Sequence, residues 1–277
     1  MLTEDKIIGI YCIIDDILKG IGHREDERRK VSDSEIITTA LVSALYFGGH
    51  LDNARGFMKM TKLVPKMLDK SRFNRRLHSV SELAFSVFWQ LGNELKSMAG
   101  ASEYVIDSFP VAVCDNIRIG RCKLLKGEQW RGKQSSMRRY FYGVKVQVMI
   151  NAQGIPVELG FVPGCESDVQ ALQKLPMAVA PESKIYGDSA YTNYQAEDDM
   201  KEAEFIDLMI CRKSNSKRPD EPWIKFIKNY MRKGIETTFS QIKALFLRKI
   251  HAVTFKGFLI KLVMFILAFM LNNLTNN

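Results

Sequence analysis

Three acids stand in settings that suit metal-assisted chemistry on an anionic substrate. Asp107 closes the apolar run "YVID", Asp188 follows "IYG", and Glu236 lies in "RKGIETTFSQIK". Each aspartate is expected at the end of a strand whose other residues want burial, and ligands collect at the carboxyl ends of strands. If those two strands are neighbours, the carboxylates stand side by side and repel. Such a pair is stabilised by hard divalent cations with oxygen ligands, typically Mg2+. A third acid is then needed from elsewhere. At about 100° per residue, Arg232, Glu236 and Lys243 fall within roughly 40° of one another on a helix, beside an apolar stripe of Ile235, Phe239, Ile242 and Phe246.

Other uses of these residues stay open at this level. An aspartate after a strand also serves as a turn or cap residue. A glutamate flanked by Arg232 and Lys243 also suits a solvated, ion-pairing face. Asp168 in "CESDVQAL" has the setting of a helix N-cap, and Asp207 lies inside its strand. Around Asp188, the small residues Gly187, Ser189 and Ala190 leave room for a ligand.

The elements that must position these side chains fall into two regions. Residues 1–100 read as an all-helical N-terminal domain. Thr3 caps "EDKIIGIYCIIDDILKG", a capping box joins Ser32 to Glu35, and a second, from Ser79 to Glu82, opens "SELAFSVFWQLGNELKSM". Between them, residues 59–79 carry seven Lys or Arg against one acid. A short helix there puts Arg72, Arg75 and Arg76 at helical spacing, as a DNA-contacting face or as a solvated basic one. Residues 101–277 read as strand, strand, strand, helix, strand, helix, strand, helix, which predicts an α/β domain with a mixed sheet. Its most regular strand is "YFYGVKVQVMI", where Val144, Val146, Val148 and Ile150 share one face. "FLIKLVMFILAFML", residues 258–271, is expected to be a buried C-terminal helix of that domain. Interrupted by Lys261, it falls short of the roughly 18–20 residues a bilayer requires.

Charge points to a polyanionic partner. The chain carries 40 Lys and Arg against 31 Asp and Glu, a formal +9, which suits nucleic acid better than an acidic small molecule. Residues 116–139 and 212–233 hold eight basic residues each; Lys133, Arg138 and Arg139 in the first, Arg232 in the second, and Lys243 beyond it are expected to contact DNA. Five cysteines, an odd count without a CxxC pair or nearby histidines, indicate neither a disulfide framework nor a zinc site, and a reducing cytoplasm is the simplest reading. The N-terminus lacks the pattern of a signal peptide. The four histidines, His23, His50, His78 and His251, are scattered and suggest neither a triad nor a metal cluster.

Taken together, "YVIDSFP", "YGDSAY" and "RKGIETTFSQIK" resemble the three acidic motifs of bacterial insertion-sequence transposases with a DDE site on a ribonuclease H-like fold. The resemblance covers nearly the whole chain, including "SRFNRRLH", and is greatest to the insertion sequence 982 family. It implies Asp107, Asp188 and Glu236 as catalytic ligands of two Mg2+ ions, for which Mn2+ can substitute. The Y-x2-R-x3-E-x6-K signature of many such enzymes is matched at Arg232, Glu236 and Lys243, but its first position is Asn229, with Tyr230 one residue later. The implied activity is cleavage at terminal inverted repeats and strand transfer into target DNA. A homodimer or larger assembly on double-stranded DNA follows from that reaction, in a cytoplasmic, nucleoid-associated setting with no membrane. A ribonuclease H-like nuclease or resolvase without strand transfer would share the three carboxylates. A non-catalytic DNA-binding protein, such as a decayed transposase, would keep only the basic segments.

Overall fold

The computed structural model describes residues 3–134, 138–246 and 250–275. The chain divides into two compact units, residues 1–90 with 242–277, and residues 91–241.

The first unit is helical: α1 (Glu4–Gly20), α2 (Asp33–Tyr46), α3 (Leu51–Met60), α4 (Lys70–Ser79), the start of α5 (Ser81–Ala99) and the C-terminal helix of the chain. Local caps start these helices as expected. The Thr3 hydroxyl accepts the Lys6 N–H, and the Ser32–Glu35 capping box is formed. The second box is not. Ser79 is the last residue of α4, its hydroxyl donating to the Arg76 carbonyl, and α5 begins two residues later. Helix α2 is the centre of the unit, with Asp33, Ser34 and every residue from Ile36 through Ala44 buried. Two of its hydroxyls are satisfied within the helix, Thr39 donating to the Glu35 carbonyl and Ser43 to that of Ala40, while Ser34 donates to Asp15 of α1.

The second unit holds the sheet: β1 (Glu103–Cys114), β2 (Arg131–Gln134), β3 (Arg139–Asn151), β4 (Pro156–Pro163), β5 (Lys184–Gly187) and β6 (Asp207–Ile210), with α6 (Asp168–Leu172), α7 (Tyr194–Glu204) and α8 (Pro222–Leu245). The mixed sheet predicted from the strand order is present. β1, β3 and β4 form an antiparallel meander, while β5 and β6 continue from β1 in parallel. β2, inside a stretch that reads as irregular, shares with β4 the edge of β3 opposite β1. The core on one face gathers Tyr104, Ile106, Met149, Leu172, Ile185 and Leu208. Below it, the Lys96 ammonium of α5 is ion-paired with the Glu158 carboxylate of β4, both fully buried. Gly92 lets α5 approach β4, since a Cβ there would meet the Val157 carbonyl oxygen at 2.3 Å.

The C-terminal helix departs from expectation. α9 (Phe255–Leu274) packs against α2 and α4 of the helical unit instead of closing the sheet domain. At 20 residues it also exceeds the apolar stretch read from sequence, and its length and composition would allow it to cross a bilayer. In the structure 67% of its apolar window is buried.

Candidate active site

The two aspartates meet through strand register. β1 and β5 run parallel with Ile106 opposite Gly187, the last pair of that ladder. Asp107 and Asp188 are the next residues on each chain, so the carboxylates emerge side by side. β1 does not end there as the sequence suggested. It continues to Cys114 because β3 goes on pairing with it, and Asp107 lies in mid-strand where only the β5 partner stops. Asp188 leaves β5 and caps a short 3-10 turn, Ser189–Tyr191, its carboxylate accepting the Ser189 N–H at 2.6 Å. Asp107 accepts the Ser108 N–H at 2.7 Å. Capping this turn leaves the Asp188 carboxylate beside Asp107.

Helix α8 lies over the same face of β1 as Asp107. Phe239 packs edge-on against Phe109, with ring centroids 4.8 Å apart. The helix is fastened at its other end by Lys228, whose buried ammonium donates to the Ile210 carbonyl at 2.9 Å and pairs with Asp220 at 2.6 Å. Between these anchors Arg232 reaches both aspartates, 3.3 Å from Asp188 and 3.9 Å from Asp107. Burial pushes the Asp107 carboxyl up to about 6; the Ser108 N–H and the Arg232 guanidinium oppose the rise, and the Asp188 and Asp168 charges add to it. The site is thus two carboxylates sharing one guanidinium in a half-buried position.

Glu236 sits one turn beyond Arg232 on α8 and is exposed. No hydrogen bond or ion pair joins it to Asp107 or Asp188 among the described residues. The rival acids take structural roles. Ser167 is the N-cap of α6 and Asp168 its first residue, bound to the Ser108 hydroxyl at 2.9 Å and to Lys145 at 3.3 Å. Strand alternation hides this contact, because Ser108 points to the sheet face opposite Asp107. Tyr191, buried on the far side of the 3-10 turn, has its phenol pushed up by burial and by the Asp107 and Asp168 charges. The room left by Gly187 serves the core instead of a ligand: a Cβ would stand 2.8 Å from Ile210 Cδ1 and 3.3 Å from Ile106 Cγ2.

The basic residues divide into exposed and committed ones. Arg232, expected on DNA, is spent on the two aspartates. Arg76, expected on the same ligand, bonds the Val31 carbonyl and is ion-paired with buried Asp33. Arg72 pairs with Asp69, the N-cap of α4, and remains largely exposed, as does Arg75. Lys133, Arg138 and Arg139 are exposed around the β2–β3 connection, Lys133 lying 6.0 Å over the Tyr140 ring. Lys243 is exposed on the last turn of α8. In the 212–233 stretch, Arg212 and Arg218 tie the loop to Glu197 and Asp198 and pack over the Tyr194 ring.

Three of the four histidines, distant in sequence, line one pocket of the helical unit: His50, His78 and His251, with Lys70 and Lys261. The fourth joins Glu25 and Asp33 in a group whose ligand atoms lie within 4.8 Å of one another. That group is an ion-pair hub and not a cation site, because Arg29 and Arg76 already balance the Asp33 charge.

Two carboxylates on neighbouring strands, with Arg232 reaching both, lie in a chain of formal charge +9. The family model described as Transposase DDE domain matches residues 98–252, more than half of the chain. The chain belongs to that DDE transposase family. No curated protein and no solved structure matches it.

Proposed function

We propose that the chain is the DNA transposase of an insertion sequence of the 982 type, binding terminal inverted repeats and carrying out Mg2+-dependent cleavage and strand transfer on a ribonuclease H-like fold. The carrying observation is the register that sets Asp107 beside Asp188 with Arg232 between them. The sheet order supports the fold reading, with an antiparallel meander joined to two parallel strands.

Hard oxygen donors fit a divalent cation, and the Asp107 carboxyl, raised chiefly by burial, has the Asp188 charge beside it adding to the rise. Asp107 and Asp188 would hold the cation, with Glu236 as third ligand. Two Mg2+ ions, or Mn2+ in their place, would supply Lewis-acid activation of water or a 3′-hydroxyl and of the leaving oxygen. In that reading Arg232 neutralises the aspartates before DNA arrives and holds Asp188 in place. Arg72, Arg75, Lys133, Arg138, Arg139 and Lys243 would contact backbone phosphates, fixing the register of the duplex without reading its sequence.

The test is cleavage of an inverted-repeat duplex with and without Mg2+, by the wild type and by Asp188→Ala and Glu236→Gln. Metal-dependent cutting lost in both variants is expected, a fall of about a thousandfold or more. Equal cutting by Asp188→Ala would remove the proposed site. Full activity of Glu236→Gln would remove the third ligand alone.

A further inference from the structure

The outer face of α8 carries a second feature that the carboxylate site does not use. Trp223, Phe226 and Tyr230 recur at helical spacing and are 64%, 70% and 64% exposed, with Ile227 beside them. The inner face of the same segment is occupied by Lys228 and Arg232, both committed to acids. Four exposed aromatic or aliphatic side chains in eight residues are costly in water, and such a patch marks a binding surface. The Phe226 and Tyr230 rings lie nearly parallel, 17° between planes with centroids 6.4 Å apart.

Charge selects the occupant. Lys225 and Lys233 flank the rings, and Lys213 and Lys217 stand exposed in the preceding loop; from Pro222 to Ile235 there is no acid. Aromatic faces interleaved with lysines suit bases that have left the duplex stack, with phosphates running alongside. Arg232 belongs to the same helix, two residues past Tyr230, and pairs with the site aspartates.

We infer that the Trp223–Phe226–Tyr230 face of α8 binds unpaired bases of a DNA strand leading to the carboxylate site; this rests on the DNA-processing reading above. The segment would hold a strand end by stacking, while the lysines take its phosphates.

The experiment uses the full chain in EDTA, so that nothing is cut, with labelled blunt duplex and the same duplex bearing a single-stranded 3′ tail of about six nucleotides. Wild type is expected to bind the tailed DNA at least about tenfold more tightly, and Trp223→Ala/Phe226→Ala to bring it within about twofold of the blunt one. Trp223→Phe should retain the preference, and thermal melting should be unchanged because the rings are exposed. A tail preference intact in the double variant would overturn the inference. So would a change from dimer to monomer in sedimentation with tail affinity unaltered, which would make the face an interface between copies. Loss of Mg2+-dependent cutting in Asp188→Ala without any wild-type tail preference sinks this inference and leaves the enzyme reading standing. Tail binding without cutting does the reverse.

Discussion

Asp107 carries its charge at a cost that the rest of the site only partly offsets. Its carboxyl, raised to about 6 from an ordinary 3.8, holds a proton more tightly folded than unfolded. Its ionisation therefore opposes folding fully above about pH 6, and the penalty fades as pH falls toward 4. In EDTA at pH 8, Asp107→Asn is expected to be more stable than wild type by on the order of 2 kcal/mol, with no advantage near pH 4. Added Mg2+ should raise the melting temperature of the wild type and not of the variant. Calorimetry across pH checks both, and a variant less stable at pH 8 would count against the buried-charge account.

Arg76 and Arg75, adjacent in sequence, should behave differently. Arg76→Ala strands buried Asp33 with only His23 and Arg29 as partners, and a loss of about 2–3 kcal/mol in urea unfolding is expected. Arg75→Ala should change stability by less than about 0.5 kcal/mol and weaken DNA binding instead. Helical spacing put the three arginines on one short helix; it could not show that one of them faces Asp33, forty-three residues away.

At the scale of elements, close backbone approach sets what each position tolerates. Gly92→Ala on α5 drives a methyl into the Val157 carbonyl and is expected to cost more than about 2 kcal/mol. Gly56→Ala on α3 meets nothing within 4 Å and should stabilise by about 0.5–1 kcal/mol. Urea midpoints of the two variants compare them directly. Equal effects would mean that α5 does not pack on β4 as described. Element type was largely legible because caps and periodicity are local, as at Thr3, Ser32 and the Val144–Ile150 alternation. Element ends were less so. β1 outruns Asp107 because β3 pairs with it, and the Ser79 cap is lost because α4 runs through that residue.

For the whole molecule, the placement of α9 is the largest difference from the sequence reading. Ile266 is fully buried in the helical unit. Ile266→Ala should destabilise that unit by about 2–5 kcal/mol, with amide exchange accelerating in α2 while β1 and β5 stay protected. Exchange that quickens first in the sheet would return α9 to the other unit.

By itself the sequence determined the helical and mixed α/β regions, their order, the basic balance and the acids worth testing, since each is written in neighbouring residues or in composition. Only the tertiary structure decided that Asp107 and Asp188 share one strand register, that Arg232 answers both, and that Arg76 is consumed by Asp33. It also decided that α9 completes the helical unit and that three scattered histidines line one pocket. These are contacts between residues far apart in the chain, and an apolar stripe or a charged side chain specifies only the kind of partner it needs, never which one.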